Sequence, residues 1–153
     1  MRTTFRQLSL QQVRSLAIPL IRETIGEEQH EIAAAAWKPY RPGCPTRSWG
    51  LWLDGKFAGF VGLGSEVRPG AVWLGWFAVA PAFQRQGWGT YLLARIEKLA
   101  VKAGYSAVYV ETYRAPQFVA AQHFYHSEGY HSAGFLLKAM ASGMTALYYY
   151  KNL

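Results

Sequence analysis

Residues 84–90 read Gln84-Arg85-Gln86-Gly87-Trp88-Gly89-Thr90 and follow an apolar run closed by Pro81. Two glycines one residue apart let a backbone approach a ligand and adopt angles that a Cβ forbids. If a helix starts here, its first amides lack internal acceptors and its dipole favours an anion. One such dipole interaction is worth about 0.3–1 kcal/mol at an exposed site. Several amides converging on one pyrophosphate, with Arg85 beside them, make a usable anion site. A P-loop is excluded, because no lysine follows Gly89. A dinucleotide fingerprint wants a third glycine where Leu92 stands, although Glu111 lies at about the spacing of its ribose-binding acid. His123 and His126 have helical i, i+3 spacing, but no third metal ligand lies nearby in the chain.

The elements that must position this turn can be read around it. Residues 71–79 are nearly all apolar, which predicts a central strand covered on both faces. Residues 87–103 form a helix with Leu92, Leu93, Ile96, Leu99 and Ala100 as its buried stripe, and Gly104 suits its C-terminal cap. Upstream, residues 2–8 read as a first strand. Ser9 caps a helix over 10–24, which Pro19 should kink or split. Residues 27–38 give a second helix and 39–45 a loop. Residues 48–53 and 56–63 are strands joined by Asp54-Gly55, a strong hairpin signal, and Arg68-Pro69-Gly70 makes the next turn. Downstream come a strand over 105–113, a helix over 115–127 entered through Pro116, and strands over 129–137 and 144–151. This order describes a mixed α/β domain around one sheet.

Composition bounds the partner. A chain of 153 residues holds about one domain. Lys plus Arg is 16 against 9 for Asp plus Glu, a net charge of +7, so an anionic partner is expected. With 16% charged and 16% aromatic residues the chain is no disordered basic tail. No acid lies between Glu66 and Glu97, yet Arg68, Arg85 and Arg95 do, which places the anion near the glycine turn. Cys44 is the only cysteine, so no intrachain disulfide or cysteine metal cluster can form, which fits a reducing cytoplasm. Residues 1–13 carry no apolar core of a signal peptide, and the longest apolar run, 71–83, is too short to span a bilayer.

Residues 77–90, from Phe77-Ala78-Val79-Ala80-Pro81 to Thr90, resemble the acyl-CoA motif of the GNAT superfamily of N-acetyltransferases, [RQ]-x-x-G-x-[GA] between a strand and a helix. Phe124-Tyr125-His126-Ser127-Glu128-Gly129-Tyr130 is similar to that family's second signature, with Ala121 four residues before the tyrosine. The order of elements agrees over essentially the whole chain. The resemblance implies a single-domain α/β GNAT-like fold over 1–153. Its mixed, mostly antiparallel sheet would have about seven strands flanked by about four helices and be splayed between the fourth and fifth strands. It implies acetyl-CoA as co-substrate, no metal, and an acetyl group passed to a primary amine by direct attack in a ternary complex. The main chain of Phe77, Ala78 and Val79 would pair with the pantetheine arm. The turn from Gln84 through Arg85, Gln86, Gly87, Trp88, Gly89 and Thr90 would hold the pyrophosphate. The strands of Val79 and Val110 would part to admit it. The family often has asparagine seven residues before the tyrosine; here that position is Phe118.

Acyl transfer to an amine needs a neutral amine, a donor for the developing oxyanion and a proton or hydrogen bond for the thiolate. Tyr125 stands at the family's acid position. The strand before the turn presents Trp73, Gly75 and Phe77 on one face, with nothing titratable. Glu111 resembles a glutamate that other relatives place on the next strand as base, and apolar neighbours would raise its pKa. Its other reading is an ion pair with Arg114. Glu66 is the second candidate base. His123 and His126 are at neither i±3 nor i±4 from Tyr125 and should point elsewhere. Trp37, Tyr40, Trp49, Phe135 and Tyr148-Tyr149-Tyr150 could line an acceptor pocket, or else belong to core or a homodimer interface. With no acidic cluster there, a single amine, an amino acid or a peptide N-terminus suits better than a polycation. A pure nucleic-acid binder lacks a helix-turn-helix, zinc or RNP signature. A toxin-like acetyltransferase of aminoacyl-tRNA would use the basic surface, and a CoA-binding domain without catalysis is the third reading.

Overall fold

The computed structural model describes residues 1–36, 47–140 and 142–153. Strand β1 (Thr3–Gln7) leads into Ser9, whose hydroxyl accepts from the Gln12 amide while Gln12 returns the bond to the Ser9 amide. This capping box starts a helical rod made of α1 (Leu10–Gln12), a π turn (Val13–Ala17) and α2 (Ile18–Thr24). Pro19 sits in the first turn of α2. A proline ring collides with the carbonyl four residues back and donates no amide. The wider π turn relieves both and interrupts the α-helix just before Pro19, where the sequence predicted a kink or a split. Helix α3 (Glu27–Ala36) follows. Trp37 and Tyr40, and the loop predicted for 39–45, lie outside the described residues.

Strands β2 (Arg47–Leu53) and β3 (Lys56–Arg68) form the predicted hairpin, with Asp54 and Gly55 both at positive φ. Then come β4 (Ala71–Val79), helix α4 (Trp88–Lys102) and β5 (Ala107–Tyr113). Gly104, at φ 95°, ends α4: its amide bonds Val101 and the next amide bonds Ala100, a Schellman cap. A single 3-10 turn at Pro116–Phe118 opens α5 (Val119–Ser127), and β6 (His131–Leu136) and β7 (Ala146–Asn152) close the chain.

The seven strands run in the order β1-β2-β3-β4-β5-β7-β6, antiparallel except for β4 and β5. Buried side chains of the π turn, α2 and α3 pack with Phe60 and Ala78 on one face of the sheet. On the other face, Leu92, Leu93, Ile96 and Ala100 of α4 meet Val61, Val72, Val108 and Val110. Burying each such aliphatic side chain is worth about 2 kcal/mol.

The parallel pair opens the sheet. It is short: Ala71, Val72 and Trp73 pair with Ala107, Val108 and Tyr109, and beyond them the strands part. The other edge of β4 stays bound, with Phe77, Ala78 and Val79 opposite Val61, Phe60 and Gly59. That pairing is close. A Cβ on Gly59 would lie 2.6 Å from the Ala78 carbonyl oxygen, so only glycine lets β3 hold β4 there.

Candidate active site

The parting of β4 from β5 opens a cavity of about 560 Å³. Residues 73–79 of β4 and 110–113 of β5 form its walls, with Ile25, Gln29 and Ile32 above and Phe118, Ala121 and Tyr125 opposite. Along its length, residues 74–79 of β4 have one edge without a strand partner. The carbonyl of Val79, at the strand end, accepts instead from Gln84 Nε2 at 2.9 Å.

The glycine turn lies at the mouth. Arg85 is held at φ 59°, and Gly87 caps α4 at φ 85° with no atom within 4 Å of where its Cβ would be. The turn is therefore bent and open, and the first amides of α4 face outward as a helix start requires. Gln84 and Gln86 use their side chains on the backbone, Gln86 donating to the Ala82 carbonyl at 3.1 Å. They brace the turn through its own carbonyls. A Cβ on Gly89 would press Phe124 at 3.3 Å, so this glycine serves the packing of α4 on α5. Trp88 packs edge-on against Tyr91.

Only part of the positive charge expected around this turn is there. Arg68 lies at the other end of β4 over the Tyr109 ring, and Arg95 lies over Phe5. Arg85 is the arginine of the three at the turn. A carboxylate comes in from the C-terminal cap of α5: Glu128 accepts from the Thr90 hydroxyl at 2.5 Å.

Tyr125 is buried in an aromatic collar of Phe77, Phe124, Tyr130 and Tyr149, with ring centroids 5.4–6.5 Å away. Burial pushes its phenol well above the usual value. Its hydroxyl has no hydrogen-bond partner among the described residues, and the ring lines the cavity. Behind the collar Tyr130 donates to Glu97 at 3.0 Å, and Lys151 grips the same carboxylate at 3.1 Å.

Glu111 also lines the cavity, but in other company than the sequence predicted. Its carboxylate is exposed and takes the Tyr113 hydroxyl at 2.5 Å. Tyr148, opposite it in the β5–β7 register, makes a second hydroxyl contact. Burial, and then Glu111, hold both phenols above their ordinary value. The neighbours of Glu111 are thus polar donors, because β7 is inserted between β5 and β6 and brings Tyr148 across. Arg114 does not pair with it and lies over the Phe135 ring.

Other residues singled out by the sequence fall away from the cavity. Glu66, His123 and His126 are exposed and do not line it. Trp49 packs into the core from β2, on the far side of β3. Phe135 is exposed on edge strand β6, Tyr149 packs on Tyr125, and Tyr150 stacks on Tyr109. Of the predicted acceptor aromatics that are described, Tyr148 alone reaches Glu111. The aromatic walls come from Trp73, Trp76, Tyr113 and Phe118 instead. Gln29 was missed as well; its signal was a polar residue one turn before the buried Ala33 on α3.

Comparison with known proteins agrees with this geometry. A model of the acetyltransferase (GNAT) family matches residues 10–130. A GNAT-family protein from Desulfovibrio desulfuricans superposes with a TM-score of 0.83 at 23% identity, over 99% of both chains. The ribosomal-protein-S18-alanine N-acetyltransferase from Escherichia coli superposes at 0.67 and 20% identity, over 99% of this chain and 94% of that one. A Bacillus anthracis protein in complex with acetyl coenzyme A gives 0.64 at 22% identity, over 75% of this chain and 65% of that one. No curated protein matches significantly. The splayed parallel pair, the bent glycine turn and the matched 121-residue span together make the chain a member of the GNAT acetyltransferase family, and so an acyltransferase.

Proposed function

We propose that this protein transfers an acetyl group from acetyl-CoA to a primary amine of a small molecule or peptide, by direct attack within a ternary complex. One observation carries the reading: the unpartnered edge of β4 runs from the open glycine turn into a cavity that holds both Tyr125 and Glu111. Acetyl-CoA supplies the thioester. Main-chain groups of Phe77, Ala78 and Val79 extend the sheet onto its pantetheine arm, and an amide there polarises the thioester carbonyl. Amides of Arg85 to Thr90 hold the pyrophosphate, beside the Arg85 guanidinium.

At the other end Glu111 takes the proton that the ammonium must lose, directly or through water. The C–N bond forms as the C–S bond breaks, the electron pair leaves on sulfur, and the second proton that the nitrogen sheds in becoming an amide passes to solvent water. An ordinary phenol already gives its proton to a thiolate uphill by about 2 kcal/mol. Burial makes Tyr125 a weaker acid still, so its role is to hydrogen-bond the sulfur, which finally takes up a solvent proton.

The cofactor half is tested by replacing Gly87 with valine. A β-branched side chain at φ 85° is strained and projects where the pyrophosphate would lie. Calorimetric titration should show coenzyme A binding at least tenfold more weakly to Gly87→Val than to wild type. Unchanged affinity in a folded variant would remove the turn from the binding site.

A further inference from the structure

The acceptor end of the cavity holds a polar group that the reaction does not use. Gln29 on α3 is 2% exposed and lines the cavity, yet its amide nitrogen is buried with no hydrogen-bond partner. A buried donor left unpaired costs about 1–3 kcal/mol. It lies beside the Tyr113 hydroxyl, which is committed to Glu111. The Gln29 amide leans on the Tyr113 oxygen, acting to lower that phenol's pKa, but without the geometry of a full hydrogen bond, so the hydroxyl stands between an under-used N–H donor and a carboxylate.

The rest of the lining narrows what fits. Glu111 is the one carboxylate, and there is no Lys, Arg or His, among the described lining residues. Ile25, Ile32, Trp73, Trp76 and Phe118 are apolar or aromatic. A monocation suits one carboxylate, whereas a substrate carboxylate would meet Glu111 and no counter-charge. The amide has two N–H groups, and the one that Tyr113 does not engage suits a neutral oxygen close to the amine.

We infer that Gln29, Tyr113 and Glu111 form a subsite for an α-amine next to a neutral carbonyl, as in a peptide N-terminus or an amino-acid amide with an apolar side chain. Glu111 receives the ammonium and Gln29 donates to the carbonyl oxygen. This subsite rests on the acetyl-transfer reading, and names which amines that site selects.

The test is calorimetric titration of the coenzyme A-saturated protein at pH 6, where α-amines and alkyl amines are both protonated. The probes are leucinamide, 3-methylbutylamine, which lacks the carboxamide, and free leucine. Leucinamide should bind about tenfold more tightly than 3-methylbutylamine, the worth of one hydrogen bond to a buried donor. Free leucine should bind more weakly than leucinamide. In Gln29→Leu, and in Gln29→Met as a second variant of similar volume, the tenfold ratio should fall to within about twofold. A coenzyme A-induced rise in melting temperature identifies the folded variants. Equal binding of leucinamide and 3-methylbutylamine to wild type overturns the subsite, as does a ratio that survives in a folded variant. Thiol release from acetyl-CoA on leucinamide is read separately. Binding preference without thiol release leaves the subsite standing and sinks acetyl transfer; thiol release without preference does the reverse.

Discussion

Replacing Glu111 with glutamine should lower kcat for acetyl transfer about 100-fold at neutral pH, within the usual range for loss of a general base. Glutamine keeps an oxygen to accept from Tyr113, so that hydrogen bond survives. What it loses is the ability to take a proton. At pH 7 an alkyl amine with a pKa near 10.4 is overwhelmingly protonated. The variant must then wait for spontaneous deprotonation, and its residual kcat should climb about tenfold per pH unit toward the amine's own pKa. Wild type should stay flat over the neutral range. A variant with the full rate and the wild-type profile would make Glu111 a structural carboxylate.

Tyr125→Phe should cost about 30-fold in kcat, with coenzyme A affinity and melting temperature nearly unchanged. The figure is that of one hydrogen bond to a charged sulfur, about 2 kcal/mol. The split between rate and stability follows from the collar. The ring contacts with Phe77, Phe124, Tyr130 and Tyr149 remain in phenylalanine, and the lost hydroxyl has no partner to strand among the described residues. A tyrosine serving the core alone would give the opposite pattern, with an unchanged rate. The raised phenol also fixes a sign. Tyr125 stays protonated across the neutral range, so no falling limb below pH 10 belongs to it. Above about pH 10 the unfolded chain ionises before the folded one, and the stability held by the neutral buried phenol declines.

The elements of this site that are local in the chain were legible in the sequence. Gly87 at a helix start, Asp54-Gly55 in a hairpin and Gly104 past a helix end each act through their own backbone angles, which composition encodes directly. The long apolar run of β4 likewise announced a strand covered on both faces. Pairings between distant segments were not legible. Tyr148 meets Glu111 only because β7 enters the sheet beside β5, and no periodicity in either strand reports that order. For the same reason Glu111 was expected among apolar neighbours and is found with two hydroxyls. Gln29 is the reverse case, a local oddity on an apolar face whose meaning depends on the cavity across from it. Trp49 and Phe135 were drawn toward the acceptor by residue type, whereas register puts them in the core and on an outer edge.

Whether this protein acetylates amines is decided by amine-dependent release of free thiol from acetyl-CoA, followed across a panel of amines. Release should be matched one for one by acetylated amine and be strongest for α-amines beside a neutral carbonyl. No release with any amine, together with no stabilisation of the protein by coenzyme A, would contradict it.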